Sequence, residues 1–312
     1  MNVPIGVVAI LISWYVLTER LYPRRQHFDL AGASLLAIGV SALTLALSFG
    51  EEWGWTSHRF SSSILVAIAA LTAAAWVESR GRFTLLPPAL LRNRVFVLAN
   101  ASFMICTLAL FAVGFLLPFY LEELREFSTI RAALLYTSLP VTLAVVAPLS
   151  GAMADRVGSR WLAPLGLAIS CVGLILMTRL TRDTTMSYLI LCLIVTGIGQ
   201  GLFQSPNART IMLAAPMDLQ GVASGTLATA RVLGQSLSVA VAGAVFAGFG
   251  GEAAGSALVT GRATLGIEQV LVFQATFLKG LHVAFGVCAV LAAVGVITAL
   301  ARREQTSKSE DP

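Results

Sequence analysis

The sequence predicts an all-α integral membrane protein with about nine transmembrane helices. Of the 312 residues, 57% are hydrophobic and 12% are charged, whereas an ordinary soluble domain has about 45–50% apolar residues. A bilayer core about 30 Å thick needs about 20 apolar residues per helix, and runs of this kind recur along the whole chain. The alternating strands of an outer-membrane barrel, about ten residues each, do not occur, so helices are expected to satisfy the backbone in lipid.

Nine apolar runs define the predicted spans. In chain order they cover residues 3–17, 30–49, 60–77, 95–121, 132–154, 161–177, 186–203, 221–249 and 277–300. Charged residues lie mostly in the connections between runs, Pro87 and Pro88 precede the fourth run, and Pro206 and Pro216 follow the seventh. Proline lacks a backbone donor and ends or kinks a helix, so these positions are expected to separate successive helices.

Composition also limits the function classes. The net charge of +5 does not indicate a nucleic-acid partner, because Lys and Arg lie in loops, where they set membrane orientation. The four cysteines each fall within an apolar run and form no CxxC pair, which is typical of small buried hydrophobes. The sequence has no GxxxxGK[ST] motif and no cluster at metal-ligand spacing. No enzyme activity, cofactor or metal site is therefore expected.

The arginines and lysines favour one side of the membrane. When loops are assigned alternately to the two sides, thirteen lie on the side of the C-terminal tail and seven on the other. The positive-inside rule then places the tail in the cytoplasm and Met1 outside. Because an external start at the edge of an apolar helix is unusual, an odd number of spans is expected ahead of residue 1. A genuine nine-span protein is the alternative.

One short connection concentrates charge. The stretch "GAMADRVGSR", between the fifth and sixth spans, contains Gly151, Asp155, Arg156, Gly158 and Arg160. Arginines at a lipid boundary can pair with a carboxylate, a helix terminus or an anionic headgroup, and glycine permits a tight turn. Two interpretations stay open: a conformational latch that differs between states, or a basic loop that only fixes orientation.

Polar side chains within the spans are the candidates for lining a cavity. An ionisable residue inside a span is costly and is a functional candidate by default, and Arg231 is the clear case, with Gln235 four residues later on the same helix face. Gln200, Gln204 and Asn207 form a polar stripe by the same spacing. A snorkelling arginine and hydrogen bonds between helices are the structural alternatives for the two sets.

The pattern G-x-x-x-D-R-x-G-x-R at residues 151–160 resembles the loop signature of the major facilitator superfamily, which lies between the second and third helices of each six-helix half. Further stretches are similar to its fourteen-span drug:proton antiporters, namely "NVPIG", "FDLAGASLLAIGVSALTLALSFGEEWGW", "GIGQGLFQSPNARTIM", "GVASGTLATARVLGQSLSVAVAG" and "FLKGLHVAFGVCAVL". In that family, five helices precede the counterpart of "NVPIG".

The resemblance implies a layout and an activity. Residues 1–19 correspond to the last helix of a truncated N-terminal bundle, 20–94 to two linker helices, 95–301 to a complete six-helix C-terminal bundle and 302–312 to a cytoplasmic tail. It implies proton-coupled efflux of hydrophobic or cationic drugs, with the coupling carboxylate absent from this chain. The alternatives are a remnant of a transporter gene that does not transport, and a superfamily member that moves another small solute. The chain alone is expected not to transport.

Overall fold

The computed structural model describes residues 2–16, 30–54, 56–80, 87–261 and 265–301. Within these ranges all regular secondary structure is helical. The helices are α1 (Asn2–Val16), α2 (Leu30–Trp53), α3 (His58–Arg80), α4 (Pro88–Arg92), α5 (Arg94–Phe119), α6 (Thr129–Tyr136), α7 (Ser138–Val157), α8 (Ser159–Met177), α9 (Met186–Leu213), α10 (Gln220–Gly248), α11 (Gly251–Thr260) and α12 (Ile267–Leu300), with a π-helical turn at Tyr120–Leu124 and a 3₁₀ turn at Met217–Leu219.

The predicted fold class is confirmed. Eight helical segments in the described ranges are long and apolar enough to cross a membrane. The first of the nine predicted spans is also helical, but its described apolar stretch, Gly6–Tyr15, is shorter than a span requires. The tail at 302–312 and the connection at 17–29 lie outside the described residues.

Some boundaries differ from the prediction, among them the start of the last helix, which lies at Ile267 and not at residue 277. The predicted end of the seventh span at residue 203 is wrong, because α9 continues through Pro206 to Leu213. Proline is tolerated inside a membrane helix when neighbours satisfy the freed backbone groups. The stretch after α10 holds a further helix, α11, and its glycines gave no helical signal in the sequence.

Side-chain caps explain where several helices begin. Asn93 Oδ1 accepts the backbone N–H of Val95 at 3.0 Å, at the start of α5. Ser128 and Thr185 accept backbone N–H groups in the same way at the starts of α6 and α9. Each cap satisfies a donor that the first turn leaves without a partner, so these starts are fixed locally by the sequence.

Helix α5 lies at the centre of the bundle. It contacts α9, α10 and α12, while α8 packs between α9 and α12, and α7 packs on α9. Small residues allow the close approaches: a Cβ at Gly166 would lie 2.6 Å from the Gly199 carbonyl oxygen, and one at Gly234 would lie 2.7 Å from the Met104 oxygen. Such contacts are the usual means of helix association in lipid. The α2–α3 pair joins this bundle through a contact of α2 with α10.

Hydrogen bonds tie helix ends together on one side of the bundle, called here the hinge end. Asn93 Nδ2 donates to the Ala214 carbonyl at 3.0 Å, and Thr210 Oγ1 donates to Ser159 Oγ at 3.0 Å. The start of α5, the α7–α8 connection and the end of α9 therefore lie at the same level. The opposite side, called the far end, contains the π-helical turn and α11, which contact each other.

Candidate functional site

The charged connection predicted from the sequence forms the sharp turn between α7 and α8. Gly158 has φ +85° and ψ 145°, a backbone conformation that is almost confined to glycine. Arg156 and Arg160 are exposed, and the Arg160 guanidinium lies 5.6 Å from the Trp161 ring centroid. Gly151 faces α9, where an added Cβ would lie 3.0 Å from Ser205 Oγ. The side chain of Asp155 is outside the described residues.

Replacing Gly158 with alanine is expected to lower the free energy of unfolding by about 1–3 kcal/mol, the cost of holding a side-chain-bearing residue in this conformation. No atom lies within 4 Å of an added Cβ at this position, so the loss comes from the backbone alone. Thermal unfolding of the purified chain measures it. Gly225→Ala is the control, because Gly225 is helical and equally open. Equal stabilities of the two variants would contradict the prediction.

The predicted polar stripe on α9 divides into two environments. Gln200 and Gln204 are half-buried. Asn207 is fully buried, and its Nδ2 donates to the Ala99 carbonyl of α5 at 3.0 Å. The Asn207 amide thus links α9 to α5 in this structure, as the structural alternative for the stripe expects.

The ionisable residue of α10 lies against an aromatic pair. Arg231 is exposed, and its guanidinium carbon lies 5.5 Å from the centroid of the Phe103 ring on α5. Phe103 is 1% exposed and is paired with Phe203 of α9 at 6.3 Å between centroids. Gln235, one turn along α10, is half-buried. We call Arg231, Phe103, Phe203 and the neighbouring Asn100 the mid-span cluster.

Sequence reasoning missed two of these residues on α5. Asn100 is 8% exposed, and its Nδ2 donates to the Phe96 carbonyl at 3.0 Å. Its Oδ1 atom is buried without a hydrogen-bond partner among the described residues. Asn100 and Phe103 are three residues apart and therefore lie on one face of the helix. The available signal was an asparagine within an apolar run, but Asn100 is neither ionisable nor part of a polar stripe.

A concave region lies at the far end. A cavity of about 500 Å³ is lined by Phe119, Glu122, Glu123 and Phe127, among others. The Thr129 hydroxyl donates to Glu122 at 3.0 Å. This cavity lies at the turn from α5 to α6, where the chain leaves the predicted span. Among the described residues no group of three or more His, Cys, Asp or Glu side chains is placed to hold a metal.

Comparison with known proteins identifies the family. The sequence profile of the Major Facilitator Superfamily matches residues 3–239 and 101–312. The chain belongs to this superfamily. The predicted resemblance at that level is confirmed, and the all-helical bundle with its membrane-spanning segments is the structure expected of a superfamily transporter.

Named relatives in the superfamily come from bacteria. The chain is 33% identical over 247 residues to riboflavin transporter RibZ of Clostridioides difficile, covering 79% of this chain and 53% of that protein. It is 28% identical over 248 residues to multidrug resistance protein Stp of Mycobacterium tuberculosis, covering 79% and 46%. The chain thus spans about half the length of the curated relatives it matches.

A solved transporter structure shares the fold. A bacterial homologue of the human lysosomal transporter Spinster, in an inward-facing and occupied conformation, matches with a TM-score of 0.57 and 16% identity. The match covers 87% of this chain and 66% of that one. At this identity the likeness shows the fold alone.

Proposed function

We propose that this superfamily chain forms part of a secondary active transporter that exports hydrophobic or cationic compounds in exchange for protons. The mid-span cluster is the main support for this proposal. It places an aromatic pair and the polar side chains of Arg231 and Asn100 within the spans of three different helices. Transporter sites typically lie near the bilayer midplane between helices. A relative named for multidrug resistance supports the substrate class, whereas the relative named for riboflavin favours another small solute as the second candidate.

The proposed layout follows the resemblance to fourteen-span antiporters. Residues 1–19 are the last helix of an N-terminal bundle, 20–94 the linker pair, 95–301 the C-terminal bundle and 302–312 a tail in the cytoplasm of the bacterial inner membrane. The packing supports this division, since α2 pairs with α3 whereas α5 and α7–α12 pack on one another. In this layout Arg156, Gly158 and Arg160 form the loop that changes partners as the cytoplasmic face opens and closes.

The coupling ion is proposed to be the proton. No carboxylate lies in the middle of the described spans, so the coupling carboxylate is proposed to come from the part of the transporter that corresponds to the other half of its relatives. In the proposed layout residues 1–312 supply one complete bundle and a single helix of the other, so these residues alone are expected to leave dye accumulation unchanged.

Ethidium accumulation in efflux-deficient bacteria tests the proposal. A hybrid in which this chain replaces the matched region of Stp is expected to lower accumulation several-fold, and a protonophore is expected to abolish the effect. Residues 1–312 alone, detected in the membrane at equal level, are the control. A well-inserted hybrid that lowers neither ethidium nor riboflavin accumulation would contradict the proposal and favour a non-transporting remnant. Energised extrusion by residues 1–312 alone would overturn the expectation that these residues do not transport by themselves.

A further inference from the structure

The Arg231 side chain occupies a position that a substrate group of the same chemistry could take. Its guanidinium is a planar, delocalised cation and lies within cation–π distance of the Phe103 ring, at 5.5 Å from the centroid. Arg231 itself is exposed, whereas the ring beneath it is 1% exposed. A cation held by a flexible, exposed side chain can leave the ring without disturbing the helix that carries it.

The amide of Asn100 supplies a second and independent indication of a ligand. Asn100 is more than nine-tenths buried, and its Oδ1 has no hydrogen-bond partner in the part of the chain that the structure describes. A buried acceptor without a donor is unfavourable, and more so where the surroundings are lipid. An incoming molecule with an N–H group would satisfy the acceptor.

The aromatic pair specifies the shape of that molecule. Phe103 and Phe203 are inclined by 30° to one another, so the two rings form an aromatic wall between α5 and α9. Both rings are buried, so a ligand stacks on Phe103 only when Arg231 withdraws. Flat aromatic molecules stack on such a wall with favourable dispersion, and a positive charge adds attraction to the ring faces.

We propose that Phe103 and Asn100 form a subsite for a planar, cationic, N–H-bearing aromatic group, and that the Arg231 guanidinium covers the Phe103 ring of this subsite in the structure described here while the Asn100 acceptor stays open. Arg231 thereby acts as an internal competitor. It keeps the ring covered when the subsite holds no ligand and withdraws when a ligand stacks in its place. The transport meaning of the subsite rests on the proposed function, but ligand binding can be measured without transport.

Equilibrium binding of ethidium to purified residues 1–312 in detergent tests this proposal by fluorescence anisotropy. Arg231→Ala removes the competitor and a like charge, and is expected to tighten binding about fivefold. Asn100→Leu and Phe103→Leu are each expected to weaken it by about the same factor, through loss of the acceptor and of the ring. Phe103→Tyr keeps a ring and is expected to retain affinity, which separates loss of the wall from misfolding.

A matched control lies at the other end of the bundle. The Lys279 ammonium is 5.8 Å from the Phe249 ring centroid, so Lys279→Ala removes a comparable cation–π contact and is expected to leave ethidium binding unchanged. Tetraphenylphosphonium carries the same charge but is not planar, and its binding is expected to be insensitive to Asn100→Leu. Unchanged or weaker ethidium binding by Arg231→Ala, or an equal effect of Lys279→Ala, would overturn the proposal.

The two proposals fail separately. If ethidium binds with the predicted response to Arg231→Ala and the hybrid with Stp does not export it, the subsite stands and the transport proposal falls. If the hybrid exports ethidium while the purified chain and its variants bind it equally, the transport proposal stands and the subsite proposal falls.

Discussion

Gly166→Ala is expected to destabilise the bundle by about 1–3 kcal/mol, the range for overpacking a tight contact. An added Cβ at this position would lie 2.6 Å from both the Gly199 carbonyl oxygen and the Phe203 backbone nitrogen. Both are backbone atoms, so α8 and α9 must separate to admit the methyl group. The measurement is the unfolding temperature of the detergent-solubilised chain.

Gly286→Ala is the matched control for this substitution. Gly286 is also inside a helix, and no atom lies within 4 Å of an added Cβ there. The change is expected to be neutral or to stabilise the chain by up to about 1 kcal/mol, because alanine has the higher helix propensity. If both variants unfold at the wild-type temperature, the close approach of α8 and α9 is not the means by which they associate.

Arg125→Met is expected to have the second large effect, a loss of about 2–3 kcal/mol, since hydrogen bonds to charged groups are worth more than neutral ones. Arg125 Nη1 donates to the Thr184 carbonyl at 2.6 Å and to the Tyr120 hydroxyl at 3.2 Å. These bonds join the π-helical turn to the connection between α8 and α9. Methionine keeps most of the aliphatic length, so the loss reports the polar contacts.

Arg131→Met provides the comparison at the same end. The Arg131 guanidinium lies 4.4 Å from the Phe127 ring centroid, nearer than that of Arg125 at 5.1 Å, but Arg131 is exposed. Exposed cation–π contacts contribute about 0.5–1 kcal/mol. Arg125→Met is therefore expected to unfold at a clearly lower temperature than Arg131→Met. Equal unfolding temperatures would show that the hydrogen bonds of Arg125 contribute nothing to stability.

The fold was accessible from sequence because a membrane imposes one simple requirement, about 20 apolar residues per crossing. Features that depend on packing against neighbouring helices could not be predicted in this way. Pro206 was expected to end or kink the helix that precedes it. It lies buried within α9 instead, where packing against neighbouring helices overrides the local preference of proline. The stretch at Gly251–Thr260 has glycines that lower helix propensity, yet it forms α11, with Ala254 and Leu258 buried.

The candidate site was predictable only in part. The position of Arg231 within a span follows from charge and spacing alone. That it lies over Phe103, and that Asn100 lies beside them with an open acceptor, depends on how α5 and α10 pack, which no local pattern encodes. Gln200, Gln204 and Asn207 share a face of the helix, but the packing of α9 against α5 assigns Asn207 alone to an interhelical bond.

The double use of Asn93 has a mechanical consequence. One side chain both begins α5 and holds the last turn of α9, through its two amide atoms, while the Thr210–Ser159 bond fastens the start of α8 to α9. In this structure these bonds hold the start of α5, the start of α8 and the end of α9 together. The start of α10 has no side-chain cap, and open space surrounds the Cβ positions of Gly221 and Gly225. Further along α10, Gly234 approaches the Met104 carbonyl oxygen of α5 closely. The first turns of α10 are therefore held by fewer close contacts than the segment that follows them.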